Sequence, residues 1–311
     1  MEREKRLVII DCDTGIDDAL ALLLAFRQPD WDILGITAVA GNVPLEHTVP
    51  NTIRVCTLAG ERVPVYAGAE KPLYRQLHDA SRVHGSNGIG GVELPLGYAS
   101  EGTGAVDFLI NAMHRYPGRI TLIALGPLTN VAQAILRDEA FPSRVKEVLC
   151  MGGAVHGGNV TAVAEFNIYA DPEAARIVFR AGMPITMVGL DVTMQALLGH
   201  DVVDRWRKDG SPVLRAAGEM LYSYRHFYDG AALPGVALHD PLTVAAAADP
   251  DLLVTEHYYV DIETRSTLSA GRTVVDELRV TGRQPNTAVA VGHKREQFLD
   301  GFIRTIESYR G

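Results

Sequence analysis

The stretch LVIIDCDTGIDDALALLLAF, residues 7–26, decides how the rest of the chain is read. Residues 7–10 are a short β-branched apolar run, the pattern of a strand buried on both faces. It breaks at Asp11 into a polar turn, and from Asp17 apolar residues recur at helical period. Strand, tight turn and helix in that order form the opening unit of a parallel α/β sheet. The same alternation recurs outward from this unit. Further strands are expected at 33–39, 120–125, 145–150 and 185–189, and helices at 17–27, 105–115, 128–137 and 172–181. The last helix carries the clearest boundary signals: Asp171 as N-cap, Pro172 at the first helical position and Gly182 just past the end. Beyond about residue 200 the pattern turns mostly helical, with a later apolar run at 252–260 and a terminal helix near 294–309. No repeat, low-complexity tract or linker interrupts the chain. The expected fold is one α/β domain over 1–311: a single open, mostly parallel, Rossmann-like sheet flanked by helices, with a more helical C-terminal part.

Composition removes several function classes. The 311 residues are 47% hydrophobic and 22% charged, which matches a globular protein with a sizeable core and excludes a disordered or fibrous one. Against 38 acidic side chains stand 29 basic ones, a net charge of -9. That sign disfavours binding to nucleic acid or to an anionic membrane surface. Cys12, Cys56 and Cys150 show no CxxC spacing, so neither a disulfide framework nor a zinc site is expected. A reducing compartment, the cytoplasm, fits this usage. The N-terminus is charged and reaches Asp11 without the apolar stretch of a signal peptide. The longest apolar runs, 19–26 and 242–248, fall far short of the ~20 residues that span a bilayer.

In an open parallel sheet, ligands collect outside the carboxyl ends of the strands. There the first strand delivers Asp11, Asp13, Asp17 and Asp18, four carboxylates within eight residues. Asp17 or Asp18 can cap the helix, and both gain from its dipole. Four acids this close nevertheless repel one another and call for a counter-charge. An oxygen-rich, sulfur-free cluster suits Ca²⁺ or Mg²⁺, with Ca²⁺ favoured where several loops supply ligands.

Other strand ends have similar character. Asn42 follows Ala40-Gly41, and Gly126-Pro127-Leu128-Thr129-Asn130 follows 120–125; either can be no more than a turn. Met151-Gly152-Gly153 and Gly157-Gly158-Asn159 permit close backbone approach to a ligand. The alternating Glu165 and Asn167, around Phe166, suit vicinal hydroxyls. Asp240, in His239-Asp240-Pro241, is an N-cap on one reading and a carboxylate that closes a metal site on the other. His239 beside it is titratable near neutral pH. His84, in HGSNG, is either a polar loop residue or part of a site.

These residues carry a resemblance. Residues 11–19, DCDTGIDDA, resemble the DxDPGxDDA hallmark of the inosine-uridine-preferring nucleoside hydrolase family, with Thr14 where proline is usual. Proline would stiffen that turn without supplying a ligand, so the departure bears on loop rigidity. AVAGN (38–42), ALGPLTN (124–130), MGG (151–153), GNVT (158–161), AEFNIYADPEAA (164–175), HDP (239–241) and VDIETR (260–265) follow in the family's order. The resemblance therefore covers nearly the whole chain.

The resemblance implies a calcium-dependent ribonucleoside hydrolase that releases free base and ribose. One Ca²⁺ would be held by Asp13, Asp18, Asp240 and the backbone carbonyl of Leu125. Asp17, Asn167 and Glu165 would hold ribose hydroxyls, and Asn159 the 5′ end. Asn42 and Met151 would line the sugar pocket, and His84 and Phe166 belong to the substrate-binding set. The catalytic set would be Asp13, as general base toward the water at the metal, His239, as proton donor to the leaving base, and Asn42. Base-contacting candidates in the aromatic run 222–228 are Tyr224, His226 and Tyr228, each of which can equally pack. A homodimer or homotetramer is implied, with a nucleoside as the small-molecule partner.

This assignment makes chemical sense. Breaking an N-glycosidic bond builds positive charge on the ribose, which carboxylates stabilise, and negative charge on the base, which a proton donor relieves. Two other classes compete. Asp11-x-Asp13 after a strand also resembles the nucleophile motif of haloacid dehalogenase-type phosphatases, but Gly15 stands where that motif has Thr or Val, and no Gly-Asp dipeptide follows anywhere. A non-catalytic calcium-dependent nucleoside or ribose sensor would have no need to keep Asp13 and His239.

Overall fold

The computed structural model describes residues 5–229 and 233–310; the side chains of 226–229, which include His226 and Tyr228, lie outside the described residues. The chain begins with β1 (Arg6–Cys12), α1 (Ile16–Ala25), β2 (Trp31–Ala38), α2 (Leu45–Ala59), β3 (Val65–Ala67) and the single turn α3 (Ser81–His84). It continues through α4 (Ala105–Arg115), β4 (Ile120–Ala124), α5 (Thr129–Arg137), the short α6 (Phe141–Arg144) and β5 (Glu147–Met151). Next come α7 (Phe166–Ala170), α8 (Pro172–Arg180), β6 (Ile185–Val188), α9 (Leu190–Thr193) and β7 (Leu197–Gly199). The last part holds α10 (His200–Arg207), α11 (Pro212–Asp229), β8 (Gly235–Ala237), α12 (His239–Ala248), β9 (Leu253–Tyr258), β10 (Val260–Ile262), β11 (Thr273–Val275), β12 (Thr287–His293) and α13 (Arg295–Glu307).

One eight-stranded sheet organises these elements in the order β3-β2-β1-β4-β5-β6-β12-β9. All its pairings are parallel except that of β9 with β12. Two small antiparallel pairs, β7 with β8 and β10 with β11, lie apart from it. The expected open, mostly parallel α/β sheet is therefore present. Its strand order reverses between β1 and β4, and at such a switch point the flanking loops diverge and leave a crevice.

Period-two alternation in β1 distributes the core over both faces. Val8, Ile10 and Cys12 join a cluster with α1, α11, α12 and α13, while Leu7 and Ile9 join one with α4, α5 and α8. All three cysteines are buried thiols. Among the described residues no helix is long and apolar enough to cross a membrane.

The expected helix at 105–115 matches α4, and the α8 signals act as read: the Asp171 carboxylate accepts from the Ala174 N–H at 3.0 Å, and Gly182 follows the helix at φ +80°. Several elements were not legible in the sequence, α2 and β12 among them. In α2 an internal Pro50 interrupts the helical signal, yet the helix continues through it. The C-terminal part is less helical than expected, because β9 and β12 return to the main sheet and β12 inserts beside β6, about a hundred residues upstream.

Candidate active site

The loops after β1, β2, β4 and β5 meet at the switch point. Leu125 N–H donates to Asp11 O at 2.7 Å and Val39 N–H to Cys12 O at 3.0 Å, so the strand ends are tied together before any side chain is placed. Thr14 meets the question raised by the missing proline. Its hydroxyl lies 2.6 Å from that of Thr52, and its carbonyl accepts from Asn51 Nδ2 at 3.2 Å. Two contacts to α2 thus pin the turn that a proline ring would otherwise stiffen.

The four acids of the motif separate into distinct environments. Asp11, on the α5 face of β1, accepts from the Thr37 hydroxyl and from Asn130 Nδ2 at 2.7 Å. Asn130 in turn accepts from Ala69 N–H at 2.8 Å through Oδ1. GPLTN therefore supplies a brace beneath the site as well as a turn. Both oxygens of Asp18 accept hydrogen bonds, with a lone pair left on Oδ1: Oδ1 accepts from Asp13 N–H at 3.1 Å, and Oδ2 from Gly15 N–H at 2.9 Å and Asn42 Nδ2 at 3.0 Å. Asn42 also donates its backbone N–H to Asp13 Oδ2 at 2.6 Å, so this one residue orients both carboxylates. Asp17 reaches across to α12, where its Oδ2 accepts from Asp240 N–H at 2.9 Å. Helix α12 starts at His239 after Leu238, so Asp240 is not its N-cap; Asp17 fills that role from another part of the chain.

Among the described residues, three carboxylate oxygens of the motif are buried with no hydrogen-bond partner: Asp11 Oδ2, on the α5 side of β1, and Asp13 Oδ1 and Asp17 Oδ1. Asp13, Asp17, Asp18 and Asp240 are each at most 4% exposed. Among the described residues, the hydrogen bonds to Asp13, Asp17 and Asp18 come from backbone N–H groups and Asn42, none from Lys or Arg. Burial pushes the Asp17 carboxyl up to about 8. Asp13 rises well above the usual range through burial and the charge of Asp18, and Asp240 through burial and the charges of Asp18, Asp17 and Asp13. Such a group of acids cannot ionise together without a cation.

The donor set fits a hard cation. It is all oxygen, and the Leu125 carbonyl, which accepts from Asn167 Nδ2 at 2.7 Å, keeps a second lone pair. Among the described residues no group of three or more His, Cys, Asp or Glu side chains stands ready-made as a metal cage, so the fit rests on donor chemistry and the orphaned oxygens. Close glycines shape the pocket around Asp13: a Cβ on Gly41 would lie 2.1 Å from Oδ2, and one on Gly126 2.6 Å from Oδ1.

On the β5 side, the Glu165 carboxylate caps α7 by accepting from Asn167 N–H at 2.9 Å and Ile168 N–H at 3.1 Å, and ties Gly153 N–H at 2.9 Å. Burial raises its carboxyl to about 7 against these bonds. Asn167 Nδ2 links the carbonyls of Leu125 and Met151, which sets the two strand ends at a fixed spacing. Met151 is buried at the end of β5. Asn159 is exposed and accepts from Phe166 N–H at 2.9 Å, and Phe166 itself is half-buried at the start of α7. Asn159 and Phe166 thus lie at the outer edge of this group.

Two histidines complete the centre. His84 is buried, and its Nδ1 accepts from Ile16 N–H at 3.1 Å. An accepting Nδ1 leaves the ring proton on Nε2. Its ring lies 5.3 Å from that of the buried Tyr224. His239, the first residue of α12, places Nδ1 2.7 Å from the Thr193 hydroxyl. Burial pushes His84 down to about 3, with His239 nearby adding to the effect, and His239 down to about 4, so both rings are neutral. Sequence reasoning did not single out Thr193, Asn51 or Thr52; their bonds to His239 and Thr14 span 37 to 46 residues, beyond any local pattern.

Comparisons with known proteins identify the family. The family model described as inosine-uridine preferring nucleoside hydrolase matches residues 8–300. The pyrimidine-specific ribonucleoside hydrolase RihB of Shigella sonnei is 42% identical over 97% of this chain and 99% of its own. Among solved structures, the purine-preferring ribonucleoside hydrolase from Gardnerella vaginalis superposes with a TM-score of 0.92 at 35% identity, covering 98% of this chain and 99% of that one. The plant nucleoside hydrolase PpNRh1 gives 0.91 at 32% identity, covering 97% and 98%. With a family match across almost its whole length and a buried acidic centre at the sheet's switch point, the chain belongs to the inosine-uridine preferring nucleoside hydrolase family and is a ribonucleoside N-glycosidase.

Proposed function

We propose that the enzyme cleaves the N-glycosidic bond of ribonucleosides in a calcium-dependent reaction with Asp13 as general base. The observation that carries this reading is the orphaned Asp13 Oδ1, buried beside Asp18 in a cluster with no Lys or Arg partner among the described residues. Asp13, Asp18, Asp240 and the Leu125 carbonyl would hold Ca²⁺. When bound, the ion lowers the pKa of a water and fixes the ribose hydroxyls beside it.

The protein's own groups account for the remaining chemistry. Asn42 holds Asp13 by its other oxygen, which leaves Oδ1 to take a proton from the attacking water. Asp17 and Asn167 would hold ribose hydroxyls, and the buried carboxylates would stabilise the oxocarbenium-like charge that develops on the sugar. Glu165 would hold a ribose hydroxyl at the α7 end of the site, where its Oε1 accepts one hydrogen bond, from Asn167 N–H. The neutral His239 and His84 would stand toward the departing base. His239 would supply the strong hydrogen bond that a poor leaving group needs. The enzyme would act on free nucleosides in the cytoplasm, as a homodimer or homotetramer if the family resemblance holds for assembly.

The test is release of base and reducing sugar from uridine, cytidine, inosine, adenosine and guanosine, with and without a chelator followed by added Ca²⁺. Chelator-sensitive ribose release supports the reading and ranks the bases. Calcium-dependent nucleoside binding without cleavage would replace it with a sensor.

A further inference from the structure

We propose that Thr193 is a positioning residue for His239, holding the imidazole in the tautomer that carries its proton on Nε2. The inference rests on His239 acting at the leaving base, as proposed above. Thr193 ends α9, the short helix at the carboxyl end of β6, and its own backbone N–H is bonded to Gly189 O at 3.1 Å. The residue is fully buried, and its hydroxyl lies 2.7 Å from His239 Nδ1.

A hydroxyl has one proton to place, and in a buried site that proton must find an acceptor. Among the described residues, the hydrogen bond recorded for the Thr193 hydroxyl is the one to Nδ1. If Nδ1 carried the ring proton, it would donate to the threonine oxygen and strand the hydroxyl proton. If Nδ1 is bare, the hydroxyl donates to it and both groups are satisfied. The ring proton then sits on Nε2. The backbone of the same turn is anchored independently, by the bond from Asp240 N–H to Asp17. Thr193 therefore fixes which nitrogen of His239 can donate, while Asp17 fixes where the residue stands.

A mere packing role and this one separate by leaving group. Thr193→Val removes the hydroxyl and keeps the shape; Thr193→Ser keeps the hydroxyl. With uridine or inosine, T193V should lower kcat about 10- to 100-fold with little change in KM. With 4-nitrophenyl β-D-ribofuranoside, whose phenolate leaves without a proton, T193V should stay within about threefold of the parent, and T193S should recover most nucleoside activity. Equal losses on both substrates, no loss on either, or failure of T193S to recover would overturn the proposal. His239→Ala serves as the control. A selective nucleoside loss in H239A without one in T193V removes only Thr193, whereas no selective loss in H239A removes the leaving-group reading and this proposal with it. Imidazole ¹⁵N spectra of the parent enzyme, assigned by the resonance lost in H239A, give a readout that does not depend on T193V folding. They should show a bare Nδ1 and a protonated Nε2; the opposite tautomer would refute the assignment.

Discussion

The Asp17 carboxylate accepts a hydrogen bond from the backbone N–H of Asp240 at 2.9 Å, across 223 residues of sequence. One residue of the N-terminal motif thus caps the helix that carries His239 and Asp240. Two roles of Asp17 can therefore be separated. Asp17→Asn keeps an acceptor oxygen for the helix terminus and should fold with near-parent stability while losing activity. Asp17→Ala loses the cap as well and should cost a further ~1–2 kcal/mol, read from urea unfolding midpoints.

Asp13→Asn should lower kcat by at least ~100-fold with the fold intact, the scale expected for loss of a general base. The amide can still accept from Asn42 N–H, so circular dichroism and melting should change little. Near-normal turnover would remove Asp13 from that role.

Gly126→Ala should impair the site more than the fold. The added Cβ would lie 2.6 Å from Asp13 Oδ1, and the neighbour that must yield is the proposed base itself. Overpacking of this kind costs ~1–3 kcal/mol. Steady-state kinetics should show a larger loss in kcat than the change in unfolding free energy would explain, and parent-like kcat would count against a close fit around Asp13.

Calcium should stabilise the protein by relieving repulsion within the buried acids. A hundredfold excess of ligand over Kd contributes ~2.7 kcal/mol. Thermal melts after chelation should therefore shift downward by several degrees and recover on adding Ca²⁺. Asp18→Asn should shrink that response, because the substitution removes a ligand charge while keeping an acceptor for Gly15 N–H and Asn42 Nδ2. A melt indifferent to both chelator and calcium would contradict the proposed metal site.

How much was legible in the sequence follows from the range of each interaction. The strand, turn and helix around residues 7–26 are local: β-branched run, glycine turn and helical period lie within one stretch, so their identity survives reading in isolation. Asp171, Pro172 and Gly182 likewise mark α8 by groups that touch their own helix. Helix α2 escaped because Pro50 is a local disruption that tertiary packing overrides. Strand β12 escaped because its partners, β6 and β9, are remote in sequence.

The same division holds for the site. By itself the sequence determined the acidic motif, its place at the end of the first strand, the company of Asn42, Glu165, Asn167, His239 and Asp240, and hence the family. Which carboxylate oxygens are left without a partner was decided only by the tertiary structure. So were the diversion of Asp11 to Asn130, the capping of α12 by Asp17, the replacement of a missing proline by Thr14 and Thr52, and the hydroxyl of Thr193 on His239. The physical reason is that residue type sets what a side chain can donate or accept. Which group it meets depends on how distant strands and helices pack, and no local periodicity encodes that.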